Sequence, residues 1–197
     1  MSARIYTVLI LALTITAPSL TLAAPEPSDP KKQTPWHLYL TAKEAFDLKK
    51  AKGKQVLFVD VRDPVEIMFT GFTDVVDVNV PFLQANRNKW NSKKSVLLME
   101  RNPDFAPGIA RTLKAKGLDT DTPIILMCRS GGTRGAPSAK ALVNQGYKAV
   151  YVVVDGFEGG ALKEGPQKNW RLKDGWKNSG LPWSYKLNKN KIYQAQN

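Results

Sequence analysis

The clearest pattern in the chain is a series of short apolar runs separated by amphipathic stretches. Residues 56–61, Val-Leu-Phe-Val-Asp-Val, are apolar almost throughout and turn polar at their end, as expected of a parallel strand buried on both faces. Residues 75–80, 123–127 and 149–154 repeat the pattern. Amphipathic stretches lie between these runs. Thr41-Ala42-Lys43-Glu44 is a capping box that opens a helix with Ala45, Phe46 and Leu48 inward, stopped by Gly53. Residues 104–116 predict a second helix with Ile109, Ala110 and Leu113 inward, closed by Gly117, and residues 134–145 a third, ending at Gly146. The alternation predicts an α/β fold: a doubly wound, mainly parallel central sheet with helices on both faces. Ligands of such sheets lie at the carboxyl ends of the strands.

The two ends of the chain break this rhythm. In residues 1–24 Arg4 is the only charge, residues 5–15 are mostly apolar, and small residues close the segment before a run of prolines. This is the pattern of a cleaved secretory signal peptide, and it places the protein in the periplasm or outside the cell. Pro18, Thr14, Thr16 and Ser19 leave the apolar stretch too short for a stable membrane span. Residues 25–35 hold four prolines and no periodicity, which predicts a flexible leader. The domain is expected to occupy residues 36–185, with Trp170, Trp176 and Trp183 packing its polar, loop-like segment from Gly165 onward back on the core. A basic tail closes the chain at residues 186–197.

Composition then narrows the chemistry. The 197 residues hold one Cys and one His, so an intrachain disulfide, a Cys-rich metal site and a His cluster are all excluded. A lone thiol in an exported chain is either an inert small hydrophobe or a reactive group, and the residues after Cys128 favour reactivity. Cys128-Arg129-Ser130-Gly131-Gly132-Thr133-Arg134 runs from the end of a predicted strand through a glycine turn into a predicted helix. Such a turn can aim successive amide N–H groups at the sulfur, and Arg129 and Arg134 add positive charge. A thiolate, a persulfide or an incoming oxyanion would be stabilised there.

The order of motifs along residues 36–185 resembles the rhodanese family of sulfurtransferases. Asp60-Val61-Arg62, with Glu66 and Gly71 after it, is similar to the family's first signature, and Cys128-Arg129-Ser130-Gly131 to its active loop. Gly146-Tyr147, Val150-Tyr151 and Asp155-Gly156-Phe157-Glu158-Gly159 come next in the family's order. Gly175-Trp176 and Gly180-Leu181-Pro182-Trp183 are similar to the tail of some exported bacterial members. The resemblance implies that Cys128 takes a sulfane sulfur from thiosulfate or a similar anion and passes it to cyanide, a thiol or a protein. Residues 129–134 would bind the anion, and no cofactor is implied. Asp60 and Arg62, at the end of a buried strand, are expected to support the loop as an ion pair.

The chain also departs from that pattern. Phe72-Thr73-Asp74 stands where the family commonly has a histidine and a small turn, and Pro137 interrupts the start of the predicted helix. The spacing of Cys128 and Arg134 equally satisfies the Cys-x5-Arg pattern of phosphatases and arsenate reductases, although Met127 stands where those enzymes keep a histidine. A third reading is a protein-binding module without catalysis. The net charge of +12 bears on partners: seven basic residues between positions 168 and 191 face Asp174 alone, suiting an acidic protein partner or an anionic lipid surface. Nucleic acid does not fit, because the aromatics are not interleaved with the charges.

Overall fold

The computed structural model describes residues 24–194. In chain order its strands are β1 (Tyr39–Leu40), β2 (Leu57–Asp60), β3 (Val78–Asn79), β4 (Leu83–Asn91), β5 (Val96–Arg101), β6 (Ile124–Met127) and β7 (Val150–Val153). The helices are α1 (Ala42–Lys52), α2 (Pro64–Thr70), α3 (Phe105–Ala115) and α4 (Gly135–Lys140). Five strands form one parallel sheet ordered β1-β7-β6-β2-β3, and β4 and β5 form a separate antiparallel hairpin.

Side chains alternate across the sheet and each set finds its own helices. Leu57, Val59, Ile124, Leu126, Val150 and Val152 pack with Ile109 and Leu113 of α3 and with Ala139 of α4. Phe58, Ile125, Met127 and Val153 face the other way, onto Ala42 and Ala45 of α1 and Ile67 of α2. Burial on both faces is why these strands read as continuous apolar runs. The sheet is thus doubly wound, as its sequence pattern predicts.

Several elements differ from the sequence expectation. Of residues 75–80 only Val78 and Asn79 form the strand; at Asp77 the backbone amide still donates to Phe58 C=O at 2.8 Å, while the Phe58 amide is taken by the Asp77 carboxylate, also at 2.8 Å, instead of by a backbone carbonyl. Residues 134–145 are helical only as far as Lys140; beyond it the bonds tighten to i→i−3, as in Leu142 N–H to Ala139 C=O at 2.8 Å. Pro137 falls within the first turn of α4, where no intrahelical donor is needed. On α3 the inward stripe is Phe105, Ile109 and Leu113 at i+4 spacing, and Ala110 is exposed. The strand β1, the helix α2 and the β4–β5 hairpin have no counterpart in the sequence expectation.

Both flanks return to the domain. Tyr39 holds the segment before it, accepting the Ala24 amide on its carbonyl at 3.0 Å and the Thr34 amide on its hydroxyl at 2.8 Å. Residues 25–35, expected as a flexible leader, lie against β1 and α4. At the other end the Asn79 amide donates to Lys191 C=O at 2.6 Å, so the basic tail covers the outer edge of β3. Trp176 is fully buried against Phe46 and Phe58, and Trp183 meets Phe157 edge-on. Trp170, expected to anchor in the same way, is 60% exposed. The signal-peptide reading falls almost wholly on residues 1–23, outside the described residues. Among the described residues no helix is long and apolar enough to cross a membrane.

Candidate active site at the end of β6

β6 is the central strand, and it ends at Met127 with Cys128 at the carboxyl edge of the sheet. Cys128 is only 1% exposed and lies on the α3–α4 side. Its Sγ rests beside Gly135: a Cβ added there would stand 3.8 Å from Sγ and 2.8 Å from Val152 Cγ1. A glycine at the start of α4 thus makes room for the Val152 side chain of β7, with the thiol at ordinary contact distance beside it.

The loop from Arg129 to Arg134 is strapped down by the segment after β7. Phe157 N–H donates to Cys128 C=O at 2.9 Å and Glu158 N–H to Arg129 C=O at 2.8 Å. Two glycines permit the approach. Gly131 has φ +62°, and a Cβ on it would lie 1.6 Å from Val154 C=O; Gly156 has φ +66°, with Cys128 C=O at 2.6 Å from the same construction. Among the described residues, the amides of Ser130, Gly131, Gly132, Thr133 and Arg134 find no protein acceptor. These donors are available to an anion. They do not bond to Sγ, as the sequence suggests, because the thiol turns toward Gly135 and Val152 beneath the loop.

Both loop arginines carry carboxylate partners. Arg134 is buried and meets Glu66 of α2 through both terminal nitrogens, Nη2 reaching Oε1 at 2.7 Å. Burial works against the Arg134 charge, but hydrogen bonding and attraction to Glu66, with smaller pulls from Cys128 and Asp60, outweigh it and raise its pKa. Arg129 pairs through Nε with Glu158. The sequence assigns these arginines to the anion and leaves Glu158 unassigned, its only signal being its place in the Asp155–Gly159 motif.

Asp60 and Arg62 do form the expected ion pair, with Nη2–Oδ2 at 2.6 Å and both side chains wholly buried. Arg62 also donates to Thr70 Oγ1 at 2.7 Å and Gly71 C=O at 3.1 Å, and its guanidinium stacks 3.9 Å from the Phe157 ring centre. Asn79, buried on β3, donates to the carbonyls of Asp60 and Arg62 at 2.8 Å each. Together these bonds lock the turn that launches α2, and α2 brings Glu66 to Arg134. Asp60 and Arg62 are positioning residues that act through that helix. Asn79 has no sequence signal apart from being a polar residue in an apolar run.

A cleft of about 760 Å³ opens beside the loop. Arg129, Thr133, Arg134 and Glu66 line one wall. Leu83, Val96, Leu97 and Met99 of the hairpin line the other, with Lys94 at its tip. Among the described residues no cluster of His, Cys, Asp or Glu is placed to hold a metal ion.

A parallel α/β domain with a lone cysteine at the end of its central strand, continuing into a strapped glycine loop, defines a recognisable class. The profile of the rhodanese-like domain family matches residues 41–163, and the chain belongs to that family. The uncharacterized protein RP600 of Rickettsia prowazekii (strain Madrid E) is 32% identical over 108 residues, spanning 55% of this chain and 72% of its own length. A homologous uncharacterized protein of Rickettsia rickettsii matches over the same extent with the same identity. Among solved structures, that of Rv0390 from M. tuberculosis superposes with a TM-score of 0.51 at 25% identity, covering 75% of this chain and 97% of that one.

Proposed function

We propose that the chain is a sulfurtransferase that carries a sulfane sulfur as a persulfide on Cys128. The observation that carries this reading is the lone thiol at the carboxyl end of β6, under a loop whose amides are free to hold an anion. In the first half-reaction the Cys128 thiolate attacks the outer sulfur of thiosulfate, the sulfur–sulfur bond breaks, and sulfite leaves with the bonding pair. The terminal sulfur of the resulting persulfide bears the negative charge that the loop amides and the arginines favour. In the second, an acceptor nucleophile, such as cyanide or a thiol, takes that sulfur and the Cys128 thiolate returns. No general base is needed if the thiolate is present from the start, so the scarcity of histidine is no obstacle. With one cysteine in the chain, the persulfide cannot resolve internally and must discharge to an outside acceptor.

The Cys-x5-Arg phosphatase reading is weaker, because the edge of Arg134 that would clamp a phosphate bidentately is already taken by Glu66. The pattern of residues 1–24 supports export, which would place this chemistry in the periplasm or outside the cell.

Intact mass after thiosulfate treatment tests the proposal. The wild-type protein should gain the mass of one sulfur atom and lose it to cyanide, while Cys128→Ser gains nothing. Hydrolysis of an aryl phosphate dependent on Cys128, without any sulfur adduct, would instead establish the phosphatase reading; neither activity would leave a binding module.

A further inference from the structure

α2 carries its apolar residues in the wrong place for a surface helix. Val65, Met68 and Phe69 share one stripe and are 43%, 50% and 72% exposed, while Ile67 on the opposite side is buried in the core. At about 100° per residue Glu66 stands beside that stripe, and it is Glu66 that pairs with Arg134 on the loop wall of the cleft. The hairpin facing it turns Trp90, Val96 and Leu97 to solvent. Six of the nine large exposed hydrophobic residues among the described ones thus lie on the two elements that frame the cleft. Val96 and Leu97 line the cleft itself, and the other four lie on the elements that carry its lining residues; so much exposed apolar carbon on two adjoining elements marks a surface that is covered in use.

Charge and size say by what. The hairpin holds Arg87, Lys89, Lys93, Lys94 and Arg101 against Glu100 alone, and Lys89 takes that carboxylate at 2.8 Å. The cleft volume of about 760 Å³ suits a sizeable organic group rather than an inorganic ion.

We propose that the cleft and its apolar rim dock the physiological sulfur acceptor, an acidic protein that inserts an extended segment bearing a cysteine flanked by apolar side chains. The inference rests on the persulfide reading of Cys128. The partner's thiolate attacks the terminal sulfur, a new sulfur–sulfur bond forms on the partner, the bond to Cys128 Sγ breaks, and Cys128 departs as thiolate. A bilayer is a poorer occupant because the apolar hairpin residues line a cleft whose other wall is the polar loop of Arg129, Thr133 and Arg134, which a flat surface cannot enter. A second copy is poorer because it would oppose two strongly basic hairpins.

The test uses two synthetic peptides in the full-length protein's presence: fluorescein-labelled Asp-Glu-Leu-Ser-Phe-Leu-Glu-Asp for docking, and its cysteine counterpart for transfer. The first should bind the wild type, weaken with rising salt, and lose at least about tenfold in affinity to Phe69→Ser/Trp90→Ser. Transfer from persulfidated Cys128 to the second should fall by a similar factor in that double variant, with discharge to cyanide unchanged. Equal binding of a peptide with serines for the apolar residues, or with lysines for the acids, overturns the proposal. So does binding of phosphatidylglycerol vesicles that the double variant abolishes, or a wild-type dimer that it dissociates. Failure to form any persulfide would sink the sulfurtransferase reading alone, since the serine peptide measures docking without chemistry.

Discussion

At the scale of single residues, the site depends on groups that never face the cleft. Asp60 and Arg62 neutralise each other with no exposure at all, and each is tolerable there only because of the other. Asp60→Ala leaves a buried guanidinium unpaired and should cost about 3–5 kcal/mol of stability in urea unfolding; a loss below about 1 kcal/mol would show that Thr70, Gly71 and Phe157 suffice to hold Arg62. Asp155 behaves differently. Burial raises the pKa of its carboxyl from the ordinary 3.8, helped by the charge of Asp174 and opposed by amide bonds from Ala42 and Gly175. The folded chain then binds this proton more tightly than the unfolded chain. The stability it contributes is fullest below the ordinary carboxyl pKa and declines as pH rises through the raised one. The urea midpoint of the wild type minus that of Asp155→Asn should accordingly fall as pH increases from below 3.8; a flat difference would contradict the assignment. Cys128, the loop and the Asp60–Arg62 pair are legible in the sequence because each sits at the end of a strongly patterned strand. The carboxylate partner Glu158 and the buried Asn79 are not, since neither role leaves a periodic trace.

At the scale of elements, local chemistry and long-range packing divide the outcome. α1 is readable because its signals are local: Thr41 and Glu44 bond reciprocally, as the capping box requires, and Gly53 ends the helix. α2 is not, because its exposed face is apolar and the pattern of a surface helix is inverted. The hairpin escapes detection for a related reason. Two strands standing apart from the sheet have no buried face to impose alternation, so residues 96–99 read as Val-Leu-Leu-Met without a period. Its neck is closed independently of its tip, with Asn102 N–H to Phe82 C=O at 3.0 Å and Asn102 Nδ2 to Pro81 C=O at 2.9 Å. Replacing residues 84–100 with a short Gly-Ser linker should therefore leave the domain folded, at a cost of no more than about 2 kcal/mol. Persulfide formation from thiosulfate should survive in that variant. A chain that fails to fold, as seen by circular dichroism, would show that the hairpin is part of the core.

At the scale of the whole molecule, the termini complete the sheet. β1 at one edge is met by residues 24–35, and β3 at the other by the tail, where Tyr193 N–H also donates to Asn79 Oδ1 at 3.3 Å. Removal of residues 186–197 should uncover the β3 edge. Hydrogen exchange at the Asn79 amide should accelerate and light scattering should report self-association; unchanged exchange would mean that the tail lies there without protecting the edge. By itself the sequence determined the alternating α/β order, the parallel sheet and the place of Cys128 at a strand end, because strand burial on both faces and helix capping are written in neighbouring residues. Only the tertiary structure decided that both loop arginines are held by carboxylates, that a hairpin walls the cleft, and that both flanks seal the sheet. Those features join residues 68 positions apart at the Glu66–Arg134 pair and 114 apart at the Asn79–Tyr193 bond, and a contact between distant segments has no spacing along the chain by which to be read.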